Sequence, residues 1–296
     1  TMIDPVYIAG SYIGNGHPVV ICGELGINFN GDISIAKKMI DIAVDSKLNC
    51  VKTQKRTIEI VYSPEELSRP RDSIFGNTNG DLKRGLELNK DGYDELDAYC
   101  KDKSMTWLSS SWDEASVDFI AQYDPPAFKI ASACLTDDAL LRHHRQYKKP
   151  IILSTGMSTI PQIDRAVDIL GTDDIILLHC CSVYPARSEQ LNLRVIETLK
   201  ARYGVQVGYS GHETGLATTV VAVAMGATMI ERHLTLDRAM FGSDQAASVE
   251  GVGMKRLVRD IREIEKARGD GVKRVLEQEK PIIQKLRRVD TMKLEG

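Results

Sequence analysis

The chain has no apolar run approaching the ~20 residues that a membrane-crossing helix needs. It has no basic run interleaved with aromatic residues, and its 38 Lys and Arg are slightly outnumbered by 41 Asp and Glu. That balance argues against nucleic acid or an anionic membrane surface as a partner. No CxxC pair occurs among the six cysteines, Cys22, Cys50, Cys100, Cys134, Cys180 and Cys181. Scattered through apolar runs, they read as reduced core thiols and not as a disulfide framework. The opening "TMIDPVYIAG" lacks a basic stretch and carries Asp4, so a secretory leader is not expected and a cytoplasmic location is. The Gly-rich spacing of a dinucleotide-binding loop is missing too: "GELGINFNG" does not fit GxGxxG.

What is present is an alternation. Strand-like runs occur at 18–25, 49–54, 105–111, 127–132, 150–156, 174–182, 205–210 and 228–235. Between most of them lie stretches with apolar residues at three- and four-residue steps, such as 32–48, 90–104, 159–171 and 192–204. Near-continuous apolar strands predict burial on both faces, hence a parallel sheet. Eight such units in one chain predict an α/β fold of the (β/α)8 TIM-barrel type, ahead of a doubly wound sheet. Residues 1–296 read as one domain with no second domain. "VYIAGSYIGNGHPVVI" predicts an N-terminal β-hairpin turning at Gly14-Asn15-Gly16, set as a plug under the barrel. The polar segment 55–89 follows the second strand and is either an active-site loop or a surface insertion. The tail from 253 reads as the last barrel helix and an extension.

Polar residues collect at the C-terminal ends of these strands: Glu24, Lys52 with Gln54, Ser109 to Ser111, Lys129 with Ser132, Ser154 with Thr155, His179 with Ser182, Ser210 with His212, and Glu231 with His233. In a barrel those ends converge on the face where chemistry is sited. Lys52 and Lys129 have two readings, as ligands of an anion or as partners of Glu24 or Glu231. Serines at strand ends also serve as helix caps. His179 reads as structural. His212 and His233, on neighbouring strands, suit a borderline divalent ion acting as a Lewis acid. Together these groups describe a site for a small phosphorylated, carboxylated anion beside a carbonyl electrophile, with one well-placed carboxylate, Glu24.

The ordered motifs "ICGELGINFNGDISIAKKMIDIA", "VKTQ", "AFKIAS", "PIILSTGM", "HCCSVYP", "GYSGHETG", "IERHLTL" and "GSDQAAS" resemble the N-acetylneuraminate (sialic acid) synthase family over nearly the whole chain. The resemblance implies condensation of phosphoenolpyruvate with an aldose, commonly N-acetylmannosamine or its 6-phosphate, on a (β/α)8 barrel with Mn²⁺ or Mg²⁺. It implies His212 and His233 as metal ligands, and Lys52, Lys129, Ser132, Ser154, Ser182 and Ser210 around phosphoenolpyruvate. Glu24 becomes the acid/base group, with Lys52 and Lys129 as further catalytic residues. Gln54, Tyr184 and Asp244 fall near metal or sugar. The resemblance also favours a homodimer. Two other functions are weighed: a shorter 3-deoxy-ulosonic acid synthase of the deoxy-octulosonate phosphate type, and a non-catalytic scaffold barrel. Three departures from the family pattern, Phe29, Cys134 and Gln245, are expected on the sugar side of the site. Typical members continue into an antifreeze-protein-like domain, which is not expected within these residues.

Overall fold

The computed structural model describes residues 3–289. Residues 1–2 and 290–296, the ends of the predicted single domain, lie outside the described residues. Eight parallel strands close into a barrel: β3 (Val20–Gly26), β4 (Cys50–Lys55), β7 (Thr106–Ser111), β8 (Phe128–Ile130), β9 (Ile151–Ser154), β10 (Ile175–Cys180), β11 (Gln206–Gly211) and β12 (Met229–His233), in that cyclic order. The helices that return the chain between them are α1 (Ile33–Asp45), α5 (Lys90–Asp102), α6 (Glu114–Ala121), α7 (Asp138–Arg145), α8 (Ile160–Leu170), α9 (Val195–Tyr203) and α10 (Ala217–Ala224), with α11 (Gly251–Ala267) after the last strand. The predicted (β/α)8 barrel is therefore present, each predicted strand falling within a few residues of the observed one. No helix among the described residues is long and apolar enough to cross a membrane.

The alternation of side chains along a strand explains the layering. One parity, including Ile21, Val51, Trp107, Phe128, Leu153 and Tyr209, packs outward against helix stripes such as Ala36, Met39, Ile40 and Ala43 of α1. The other parity fills the barrel. Its lower layer is apolar and holds Val20, Cys22, Cys50, Leu108, Ile152 and Met229. Further along the same strands the inward positions become Glu24, Lys52, Lys129 and Glu231, all at most 4% exposed. The five cysteines other than Cys181 are buried and all six are free, as expected.

The N-terminal hairpin is present, with β1 (Val6–Ile8) pairing β2 (Ser11–Ile13). Its turn is Ala9-Gly10, not Gly14-Asn15-Gly16. Ala9 and Gly10 both take positive φ, 50° and 81°, as a two-residue turn matching strand twist requires. Gly14 to Gly16 lie in the link to β3. Val6, Ile8 and Ile13 join the apolar lower layer, so the hairpin plugs the barrel floor as predicted. The segment 55–89 is not a bare loop. It folds into α2 (Ile58–Val61), α3 (Pro64–Ser68), a small sheet of β5 (Pro70–Ser73) and β6 (Gly76–Thr78), and α4 (Asn79–Leu86). A capping box between Thr78 and Asp81 starts α4. Beyond α11 lies an exposed short helix, α12 (Lys280–Leu286).

Candidate active site

A cavity of about 310 Å³ opens at the C-terminal mouth of the barrel. Every residue predicted for the site lines it: Glu24, Lys52, Gln54 and Lys129; Ser132, Ser154, Ser182 and Ser210; Tyr184, Asp244, His212 and His233. His179 does not. Its Nε2 bonds the carbonyl of Leu191 at 2.7 Å, the structural role expected of it.

At the floor the lysines meet the two glutamates, as one of their two readings expected. Lys52 Nζ lies 2.6 Å from Glu24 Oε2 and 3.8 Å from Glu231, and donates to Ser110 Oγ at 2.7 Å. Lys129 Nζ lies 3.5 Å from Glu231 Oε2. The floor thus holds two carboxylates, Glu24 and Glu231, where the sequence reading singled out Glu24, and their environments push them apart. Burial and the neighbouring Glu231 charge push Glu24 up to about 7, against the pull of Lys52. For Glu231, burial is outweighed by Lys129 and Lys52, which hold it down at about 2. Burial opposes the charge on Lys52, but Glu231 and Glu24 outweigh it and raise its ammonium above the usual range. Burial, with Lys52 nearby, lowers Lys129.

On the wall formed by β8, β9 and β10, Ser132 Oγ and Ser182 Oγ approach to 3.5 Å. Between them runs Gly156 at φ +43°, where an added Cβ would stand 2.4 Å from Ser132 Cβ and 2.6 Å from Ser182 Oγ. Glycine there keeps the space between the two hydroxyls open. Ser154 stands on the same wall, one strand from Lys129.

Across the next wall are the imidazoles. Their ring centroids lie 5.4 Å apart, and Tyr184 stacks on His212 at 4.0 Å. His212 Nδ1 lies 2.5 Å from the Cys181 carbonyl, so Nδ1 carries the proton and Nε2 is left as an acceptor. His233 Nδ1 is buried with no hydrogen-bond partner, 3.8 Å from Asp244 Oδ2. Burial lowers both imidazoles, His212 to about 4 and His233 to about 3, so both are neutral at pH 7. Among the described residues no cluster of three or more His, Cys, Asp or Glu is arranged to hold a metal by itself. Two neutral imidazoles lining the cavity, one with an orphan nitrogen, would nevertheless suit a borderline divalent ion.

Behind this pair, on the outward parity of β11 and β12, sits a buried polar cluster. Glu213 accepts from Tyr209 at 2.8 Å, Thr218 at 2.9 Å and Thr219 at 2.7 Å. Arg232, fully buried, donates to Gly215 O and Thr219 Oγ1 and lies 3.6 Å from Glu213.

The chain belongs to the NeuB family. The family profile matches residues 39–273. The chain is 36% identical over 282 residues to the N-acetylneuraminate-9-phosphate synthase of Homo sapiens, covering 94% of this chain and 79% of that protein. It is 36% identical over 277 residues to the N,N'-diacetyllegionaminic acid synthase of Campylobacter jejuni, covering 91% and 83%. Its fold superposes on the N-acetylneuraminic acid synthetase of Leptospira borgpetersenii serovar Hardjo-bovis with a TM-score of 0.86, 29% identity, and coverage of 97% and 99%. This NeuB-family member is thus an enzyme, and the three proteins just compared are named as synthases of N-acetylneuraminate 9-phosphate, diacetyllegionaminic acid and N-acetylneuraminic acid.

Sequence reasoning misplaced or missed several NeuB residues here. Phe29, Cys134 and Gln245 do not line the cavity: all three are buried, and Phe29 and Cys134 belong to the hydrophobic core. Gln245 accepts from Thr235 and donates to Asn28 O at 3.0 Å, which pins the loop carrying Asp244. Arg56 and Lys83, absent from the predicted set, do line the cavity. The period-two signal on β4 pointed to Arg56, since Lys52, Gln54 and Arg56 share a parity. Lys83 arrives from α4, and no local pattern announces that.

Proposed function

We propose that this NeuB-family enzyme condenses phosphoenolpyruvate with an aldose, giving a 3-deoxy-2-ulosonic acid of the sialic acid type and phosphate. The observation that carries the reading is the hydroxyl cradle of Ser132, Ser154 and Ser182 facing two neutral imidazoles across one cavity whose floor holds Lys52 and Lys129. The names of the relatives, synthases of N-acetylneuraminate 9-phosphate and of diacetyllegionaminic acid, support the same chemistry.

In this reading the serines and Gly156 hold the phosphate of phosphoenolpyruvate, and Lys52 and Lys129 offset its charge as it leaves. His212 and His233 hold a divalent ion, Mn²⁺ or Mg²⁺, which when bound supplies Lewis acidity to the acceptor carbonyl. Gln54, Tyr184 and Asp244 orient the aldose. The methylene carbon of the enol forms the new bond to the aldehyde carbon. Water adds at the carbon bearing phosphate, and the C–O bond to phosphate breaks with its electrons leaving on phosphate. Glu24, ionised, takes the proton from that water, a task suited to a carboxyl held near neutrality.

The test is phosphate release by the purified protein with phosphoenolpyruvate, a panel of aldoses and Mn²⁺. Release should require both substrates, stop with EDTA, return with Mn²⁺, and accompany a product whose mass is that of the aldose plus pyruvic acid. Absence of release with every aldose would refute the reading.

A further inference from the structure

His212 and His233 follow directly on the last pair of the β11–β12 ladder, Gly211 opposite Arg232. Past that pair no ladder bond holds one imidazole beside the other. A site with two protein ligands depends on their spacing, which must be kept to about 0.5 Å. On one side His212 is well tied. Its carbonyl accepts from Ala186 N at 3.0 Å, and its Nδ1 meets the Cys181 carbonyl at 2.5 Å. Both ties lead to the chain after β10, not to β12.

The tie to β12 is the side chain of Arg232. It is fully buried, with its Cδ 2.9 Å from where a Cβ on Gly211 would stand. From there the guanidinium spans the turn that follows His212: Nη1 donates to Gly215 O at 2.8 Å and Nη2 to Glu213 O. Nη1 also reaches Thr219 Oγ1 of α10 at 3.0 Å and lies 3.6 Å from Glu213 Oε1. Charge balance alone does not call for this arrangement. An ammonium could offset Glu213, but a planar fork is what holds two carbonyls of one turn in fixed relation. Without it those carbonyls lose their donors, and a turn so left shifts to regain partners. The residue such a shift carries along is His212.

We propose that Arg232 is a positioning residue for the metal pair: spanning from β12 to the turn at 213–215, its guanidinium sets His212 at the distance from His233 that a divalent ion needs. The inference rests on the metal reading above and deepens it. Arg232 does not line the cavity, so its effect passes through the backbone of the turn.

The test is the Mn²⁺ dissociation constant, read from the EPR signal of the free ion at a temperature where circular dichroism shows each protein folded. Arg232→Met should weaken binding about 10- to 100-fold, the usual effect of removing a group that holds a ligand in place. That variant also strands the Glu213 charge, so the deciding protein is Arg232→Met with Glu213→Gln, in which no charge is left unpaired. Binding still weakened there supports the proposal. Binding restored to the wild-type value would overturn it, the guanidinium then being a partner for Glu213 and nothing more. If the wild-type protein takes up no Mn²⁺, the metal reading fails by itself, and the imidazole decides. Long-range ¹H–¹⁵N spectra of metal-free protein should then show His212, assigned by its absence in His212→Gln, locked with its proton on Nδ1 in the wild type and as a mixture of tautomers in the double variant. One fixed tautomer in both would overturn the proposal.

Discussion

Two glutamates less than a side chain's reach from the same lysine end with opposite tendencies, and the cause is how many ammoniums each meets. Both are buried, but Glu231 faces Lys129 and Lys52, whereas Glu24 has Lys52 alone at close range. Such a split assigns roles: the carboxyl held near neutrality exchanges protons, and the one held ionised balances charge. With Glu24 acting as base, kcat/KM should rise as pH climbs through about 7, because ionisation is required and burial delays it to that point. Glu24→Gln should flatten this limb and lower the plateau by about 10²- to 10⁴-fold. A pH–rate profile measured on both proteins checks this; an unchanged limb in Glu24→Gln would assign the proton transfer elsewhere.

At the scale of elements, the ends of β11 and β12 line the cavity on one parity and hold a buried polar cluster on the other. Ser210, His212, Glu231 and His233 face the cavity, while Tyr209, Glu213 and Arg232 lie behind them. Gly211 has no room for a side chain, since a Cβ would stand 2.6 Å from Glu213 Oε2 and 2.9 Å from Arg232 Cδ. Burial works against the charge on Glu213, but Arg232 and Thr219 outweigh it and keep the carboxyl below its usual range. Removing one partner of such a pair strands the other. Arg232→Met should therefore cost about 3–5 kcal/mol of stability, read from denaturant midpoints, and Arg232→Met with Glu213→Gln should recover part of that loss. If the double variant is no more stable than the single, the pair is not coupled. This cluster was invisible in the sequence because its members read as ordinary outward strand residues. The hairpin turn was misread for a related reason: Gly14-Asn15-Gly16 has stronger turn chemistry than Ala9-Gly10, and only the pairing of Ile8 with Ser11 decides between them.

Across the whole molecule, the barrel was legible because eight apolar runs repeat one pattern, and the inward site residues were legible because polar side chains at apolar strand ends have few reasons to exist. Residues that reach the cavity from outside that repeat, Lys83 on α4 above all, carry no periodic signal, and buried substitutions such as Phe29 and Gln245 cannot be told from site residues by motif position alone. The same core that hides these groups sets the response to acid. His144 is fully buried against Phe128, its Nδ1 bonded to Leu140 O and its Nε2 unpartnered. Burial lowers it from 6.5 to about 4. A base depressed in the folded state stabilises above its unfolded pKa and loses that contribution as pH falls through the folded value, so the window runs from 6.5 down to about 4. For His144 the loss is about 3 kcal/mol, and His212 and His233 add to it in metal-free protein. Glu24 works in the opposite sense between 4.5 and about 7, since its carboxyl is protonated more readily when folded. Burial also lowers His179 and raises Asp244, so four histidines stand against two carboxyls and the balance is a net loss in acid. Urea midpoints of metal-free protein should fall as pH drops from 6.5 toward 4, less steeply in His144→Gln and more steeply in Glu24→Gln. Parallel curves for the three proteins would mean that these groups titrate alike in the folded and unfolded chain.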